Sequence, residues 1–553
     1  MKILKLLTIF IGLAFTLASL EPVDAAVFDC PAGDVECLID AINTANANSE
    51  ADEINLEAGT YTLTTVDNMS DGPNGLPLIT SQIIIKGTGA ENSVIKRADS
   101  APSLRIFNIP NSNGILTLEG LGISGGHTSE KGGGILNKGF TTLVKCTVSH
   151  NSADAGGGIF NSEGILNVRN SIIAENNTNE VGLCNRGGGI ADGNFCGPEL
   201  GGIVEITEST ISKNTAGVSG GINFQHADEY GELIITNSTI DQNEAAGFGG
   251  GGIDGSGVLT VVNCTISRNH GAWDGAMNTD GVVTITNSTI SENTGPNTGG
   301  IQSASGTTIV NTILGGNNGG SQNDCGGPIV SYGYNLIGDP NGCGIVLIPT
   351  DLTGEPGLAG FTDNGTPGNG RFPLLTSSQA IDSGSDDDCP PTDQLGYPRI
   401  DGDGDGEINC DIGAIEFQGA NQPPMAIVDE EGPDISSVTA NPNKLWPSNH
   451  KMMPVVIEVD AMDNYDSVCQ IVLVESNESV NGLGDGDTAP DWVITGGLTV
   501  QLRAEGSGTG NGRIYTITVE CEDPSGNSST DTAKVTVPHD KGKKDIQNKK
   551  IKK

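Results

Sequence analysis

Two short signatures alternate along the middle of the chain at a nearly constant interval, and that interval limits what the chain can fold into. The first is a glycine turn entering an apolar residue: GGGILN from 132, GGGIFN from 156, GGGIAD from 187, GGINF from 220, GGGID from 250 and GGIQ from 299. The second is a β-branched strand closed by asparagine: CTVSHN from 146, SIIAEN from 171, STISKN from 209, STIDQN from 238, CTISRN from 264 and STISEN from 288. The closing residues Asn151, Asn176, Asn214, Asn243, Asn269, Asn293 and Asn317 stand 25, 38, 29, 26, 24 and 24 residues apart, a structural period with two long members. A middle strand, such as residues 165–168 or 283–286, completes each unit. The expected fold is therefore all-β: a right-handed parallel β-helix with three strands per coil, each stacked about 4.8 Å from its counterpart. Glycine, at 81 of 553 residues, excludes a helical protein, because each Gly in a helix interior costs about 1 kcal/mol relative to Ala. The lack of a strict Gly-X-Y period excludes collagen.

Alternation assigns faces within the closing strand. Ser288 and Ile290 share one parity and point inward, while Thr289 and Ser291 face water. Cys146 and Cys264 occupy the slot of Ser171, Ser209, Ser238 and Ser288, so they are expected to be buried free thiols. The recurrent Asn is expected at the bend, in a left-handed conformation and hydrogen-bonded to the Asn one coil away; a ladder of ligands is the alternative. Open sheet edges at the ends need covering. Val35, Leu38, Ile39, Ile42 and Ala45 recur at helical spacing and predict a short cap helix, with the first coil starting at residues 54–63.

Residues 1–25 carry Lys2 and Lys5, an apolar stretch and a small-residue cleavage site, and are expected to form a cleaved secretory signal; an uncleaved anchor is the alternative. In an exported chain, proximity favours pairing Cys30 with Cys37, Cys184 with Cys196, Cys325 with Cys343, Cys389 with Cys410, and Cys469 with Cys521, although spacing alone leaves the connectivity open. The net charge of −42 repels phosphate backbones, so nucleic acid is a poor partner and divalent cations are plausible ones. The expected order is cap and first coils (26–131), Gly-rich repeats (132–319), the end of the β-helix (320–418), a linker (419–424), an immunoglobulin-like sandwich (425–538) and a basic tail (539–553). The tail could touch an anionic cell envelope, or be only a polar end.

The segment CLIDAINTANAN with INLEAGTYTL resembles the N-terminal module of bacterial secreted β-helix proteins named for a Cys-Ser-Leu-Arg-Glu-Ala stretch. Leu38, Ala41, Ile42, Ala45 and Asn46 fit, whereas Cys37 stands where that family has Ser and Ile39 replaces Arg. The GGGI repeats resemble those of the chlamydial polymorphic outer-membrane proteins, which are surface adhesins. NLIGD, EPGLAGFTDNG, QAIDSG, TDQLGYPR and CDIGAIEF, in that order over 335–417, are similar to the choice-of-anchor module that ends many such β-helices. Residues 425–538 resemble bacterial immunoglobulin-like or hyalin-type repeats. These resemblances imply a location at the cell exterior and name no ligand.

Three constellations are candidates for chemistry. Asp401, Asp403 and Asp405, with Glu407, Asn409 and Asp411, approach the spacing of a calcium loop, but the closing bidentate Glu is replaced by Ile412; a solvated acidic turn is the alternative. The two long periods place insertions after the same strand of successive coils. Asp192, Asn194, Phe195, His226, Asp228, Glu229 and Tyr230 form the expected binding patch, with tolerated loop growth as the alternative. For catalysis, His270, Asp274 and Asp280 flank Trp273, and Asp254 takes the place of the repeated Asn one coil earlier, with a variant of the Asn ladder as the alternative; their spacing is not diagnostic of acid–base work. The functional expectation is a noncatalytic extracellular surface or adhesion protein that binds a surface glycan or protein; a polysaccharide lyase or glycoside hydrolase is the alternative.

Overall fold

The computed structural model describes residues 26–47, 51–180, 182–193, 196, 200–225, 231–402, 406, 408–419, 433–448, 450–462, 468–478, 491–505, 512–522 and 528–538. The signal (1–25), most of the linker and the basic tail lie outside them. The chain divides into two compact units at Gln422.

The first unit is a parallel β-solenoid of about 11 turns built from three parallel sheets. Its first strand, Val27–Cys30, pairs with Asp52–Leu56, so the first coil opens before the cap helix and not at residue 54. The helix spans Val35–Ala45, with Asp34 as N-cap accepting from the Cys37 amide at 3.0 Å. Leu38, Ala41, Ile42 and Ala45 face the core and close the open end. One column of isoleucines and leucines, including Ile211, Ile240, Ile266 and Ile290, fills the interior.

The closing Asn side chains form a continuous buried ladder. Each Oδ1 of Asn176, Asn214, Asn243, Asn269, Asn293 and Asn317 accepts both the backbone N–H (3.0–3.1 Å) and the Nδ2 (2.9–3.0 Å) of the Asn one coil earlier. Each Nδ2 also donates to a carbonyl of the preceding coil, as Asn214 does to Ile173 at 2.9 Å. The ladder ends where Asn317 donates to Asp324, whose Oδ1 receives both bonds. A carboxylate accepts but cannot pass a hydrogen bond onward. The other oxygen of Asp324 accepts the Asp339 amide at 2.7 Å.

The left-handed residue at this bend is the one before the ladder Asn, not the Asn itself. His150, Glu175, Lys213, Gln242, Arg268 and Glu292 have φ between 51° and 58°. The preceding corner repeats the device with Lys145, Asn170, Glu208, Asn237, Asn263 and Asn287. After that corner the Ser/Cys slot makes a second ladder: the Cys146, Ser171, Ser209 and Cys264 amides donate to Ser171, Ser209, Ser238 and Ser288 hydroxyls at 3.0–3.2 Å.

Thr289 and Ser291 do not face water; they are 2% and 3% exposed. Residues 354–418 run back along the outer face of the closing-strand sheet and cover them. The Gly368 amide donates to Thr210, Thr239 donates to the Gly370 carbonyl, Thr265 donates to the Gln394 side chain, and the Ala414 amide donates to Thr289, all within 3.0 Å. Phe361 lies 3.8 Å from the Arg268 guanidinium, and Ile313, Leu336, Leu374, Ala380 and Ile412 form a separate apolar cluster beneath the segment. This return segment contains four of the five motifs that resemble the choice-of-anchor module, and the buried acids of the last two are structural. Asp393 accepts the Leu395, Tyr397 and Glu416 amides, and Asp411 accepts those of Asp382 and Phe417.

The second unit holds two antiparallel sheets, one of Asp434–Asn441, Met452–Met462, Thr499–Arg503 and Trp492–Gly496, the other of Val468–Ser476, Arg513–Glu522 and Ser528–Val537. Val455, Ile457, Val500 and Leu502 from the first meet Val474, Ile517, Val519 and Val535 from the second in one core. All five expected disulfides are present.

Cys146 and Cys264 are free and buried, separated by four registered coil steps, about 19 Å at ~4.8 Å each. Burial pushes both thiols up to about 12. Alkylation of the native protein should spare both, and alkylation in denaturant without reductant should label these two Cys alone; a Cys146–Cys264 bridge found by mass spectrometry would contradict the coil count. The ladder makes a second prediction. Asn214→Asp should set carboxylate against the Asn243 carbonyl oxygen and lower stability by about 3–5 kcal/mol, whereas Asp324→Asn should cost about 1 kcal/mol. Guanidinium unfolding followed by circular dichroism measures both, and equal losses would refute directional donation as the reason the ladder stops at Asp324.

Candidate functional site

The two insertions follow registered strands of successive coils. Residues 193–202 join Ile190–Asp192 to Ile203–Thr207, and residues 226–231 join Ile222–Gln225 to Glu232–Thr236 in the next coil. Asn194, Phe195, His226, Asp228, Glu229 and Tyr230 lie outside the described residues. Asp192 is described and is not a surface group. It is fully buried, accepting from Asn161 Nδ2 and the Gly202 amide, both at 2.8 Å. It terminates a short second Asn ladder, in which Asn137 donates to Asn161 at 2.7 Å, for the same reason that Asp324 ends the long one.

Of the calcium set, Asp403, Asp405 and Glu407 lie outside the described residues. Asp401 accepts from the Gly406 amide at 3.0 Å, and Asn409 is half-buried. Asp411 points into the return segment, where both its oxygens receive backbone amides; burial, and then the neighbouring Glu416 carboxylate, push it up to about 8. Among the described residues, no group of three or more His, Cys, Asp or Glu is arranged to hold a metal ion.

The acids considered for catalysis separate into two sets. His270 is exposed on the two-residue strand His270–Gly271, and Asp280, the fourth residue of Met277–Thr286, accepts from the Ser305 hydroxyl. Asp254 and Asp274 come together with Arg186, a residue that within-coil spacing does not single out. Asp254 is in register with Asn223, which stands in the outward row of Phe160 and Ala191 rather than in the inward row of Asn137 and Asn161. The Asp254 carboxylate lies 3.9 Å from Arg186 Nη1 and accepts the Gly250 amide at 3.2 Å. Asp274 accepts the Thr298 amide at 3.3 Å. Burial pushes both acids up to about 6; for Asp274, the Asp254 charge adds to this. Beside them Trp273 is 48% exposed and meets Phe248 edge-on at 5.5 Å. Asp254 and Asp274 are 8% and 1% exposed, enclosed in the wall. Buried acids of this kind present no open cleft to a sugar chain.

Sequence reasoning also passed over an open cavity on the N-terminal coils, lined by Lys96, Arg97, His127 and His150. Its only sequence signal is that Arg97, Gly125 and His150 follow registered residues at the same corner of successive coils. No protein-family model matches the chain, and no curated protein matches it in sequence.

The raised acids set the pH dependence. A buried Asp with a folded pKa near 6 and an unfolded value near 3.8 binds its proton more tightly when folded, so its penalty on stability is absent below about 3.8 and complete above about 6. Stability should fall as pH rises through that window. Asp274→Asn should raise stability at pH 7.5 by on the order of 1–2 kcal/mol and leave it unchanged near pH 3.5. Thermal melting of both proteins at the two pH values tests this; a loss at pH 7.5 would show that the Asp274 charge supports the fold.

Proposed function

We propose that the chain is a noncatalytic, secreted or cell-surface bacterial protein whose solenoid exterior binds an extracellular glycan or protein. The observation that carries this reading is where the acids go: Asp254 and Asp274, two of the three acids considered for catalysis, are enclosed in the wall, and Asp280 alone of the three is exposed. The interior is filled by side chains, so recognition falls to the outer corners. Five disulfides suit an oxidising exterior, and the resemblances to the Cys-Ser-Leu-Arg-Glu-Ala, polymorphic outer-membrane-protein, choice-of-anchor and hyalin-type modules support the same location. Calcium at the Asp401 loop is part of the proposal as a stabiliser, and the basic tail as a peripheral contact with the envelope.

The test is a glycan array probed with the full chain, with calcium or with chelator, beside an assay for new reducing ends or unsaturated products on the glycans bound. Binding without turnover is expected, together with a higher melting temperature in calcium. Turnover abolished by Asp274→Asn would replace this reading with the hydrolase or lyase. Identical melting in calcium and chelator would reduce the loop to an acidic turn.

A further inference from the structure

On a chain carrying a net charge of −42, a cluster of cationic side chains with an open mouth is out of character. One exists on the N-terminal coils. Lys96, Arg97, Asp99, Ser124, Gly125, His127, His150 and Ser152 line a cavity of about 540 Å³. They come from three successive coils: Lys96 is in register with Ser124, and Ser124 with Ser149, so the next residues, Arg97, Gly125 and His150, stack at one corner. Three rungs at ~4.8 Å span about 10 Å, the reach of a disaccharide.

The groups around this cavity are held ready. Arg97 is anchored by donating Nε to the Pro102 carbonyl at 2.9 Å and Nη2 to that of Ala101. Among the described residues, Lys96 has no ion-pair partner. His127 Nδ1 meets Ser152 Oγ at 2.6 Å, leaving Nε2 outside that bond. His150 pairs with Glu175 at 2.8 Å, and Asp99 is the only acid in the lining. Location matters too. The return segment shields the closing-strand sheet at Thr210, Thr239, Thr265 and Thr289 but makes no hydrogen bond to the coils of Lys96 or Ser124 among the described residues.

We propose that this cavity binds a short saccharide carrying a single oxyanion group, a uronate carboxylate or a sulfate ester. Lys96 and Arg97 take the anion, while the Ser124 and Ser152 hydroxyls and the imidazoles of His127 and His150 take sugar hydroxyls. The volume exceeds that of a lone inorganic anion, the lining holds no Phe, Tyr or Trp, and the charge of the whole chain repels a densely charged polyanion such as a nucleic acid. The proposal rests on the binding-protein reading above and gives it a site and a ligand class.

Calorimetry of the full chain with three disaccharides tests it: one carrying a single glucuronate, its carboxyl-reduced neutral counterpart, and one carrying a single sulfate. At least one anionic probe should bind ten-fold or more tighter than the neutral one, with affinity falling as salt rises; which of the two binds better identifies the oxyanion. The variant Lys96→Ala/His150→Asn keeps a residue that tolerates left-handed φ at 150, so its melting temperature should stay unchanged while binding drops at least ten-fold. Equal affinity for charged and neutral probes, no binding of any of the three at millimolar concentration, or undiminished binding by the folded variant would overturn the site. Array binding that persists in that variant sinks the cavity and leaves the surface-binding reading standing, whereas absence of all array binding by the parent chain sinks the reading itself.

Discussion

A buried carboxamide that accepts from the coil before it and donates to the coil after it is the interaction on which the solenoid depends. Each ladder Asn joins its neighbours through two bonds to the next Oδ1 and one to a carbonyl of the previous coil, all at 2.9–3.1 Å for Asn214 and Asn243. A buried polar group is costly unless satisfied, so the wrong register would strand several groups at once. The ladder also holds each bend: a non-Gly residue in the left-handed region costs on the order of 1–2 kcal/mol, and such residues precede six of the seven ladder Asn, Gly316 taking the place before Asn317. Where the donor chain must stop, an Asp stands in place of Asn, at Asp324 and at Asp192.

The outer surface follows a different constraint. Parallel sheets are stable when both faces are covered, yet a solenoid covers only the inner one. The return segment supplies the second cover, meeting a row of threonines whose hydroxyls bond its backbone and Gln394. Its own irregular path is fixed by buried carboxylates, Asp393 and Asp411, that gather backbone amides much as a helix cap does. Acids on this protein therefore divide into those that solvate its surface and those that serve as internal acceptors.

That division shapes the functional picture. Asp254 and Asp274 sit beside an exposed tryptophan, an arrangement suggestive of sugar chemistry, but enclosure behind the wall leaves them as acceptors for Gly250 and Thr298. The cationic cavity has the opposite character: open, solvent-facing, and assembled from one corner of three coils. A repeat architecture can build such a site by changing single residues at a corner without disturbing the inward slots that carry the fold.

The solenoid, its inward Ile and Ser/Cys slots, the Asn ladder, the cap helix and the disulfide pairs were legible in the residues, because one residue per period occupies one rung and the period is printed directly in the spacing of Asn151 to Asn317. The left-handed positions were misplaced by one residue, since Lys, Glu, His and Arg there carry no sign of it. Tertiary structure alone decided which outward faces are covered: Thr239 meets Gly370 and Thr265 meets Gln394 across about 130 residues, and alternation cannot tell a threonine under protein from one under water. It also decided that Asp192 closes a ladder and that Lys96, Arg97, His127 and His150 share one cavity, because those depend on how coils stack and not on any spacing within a coil.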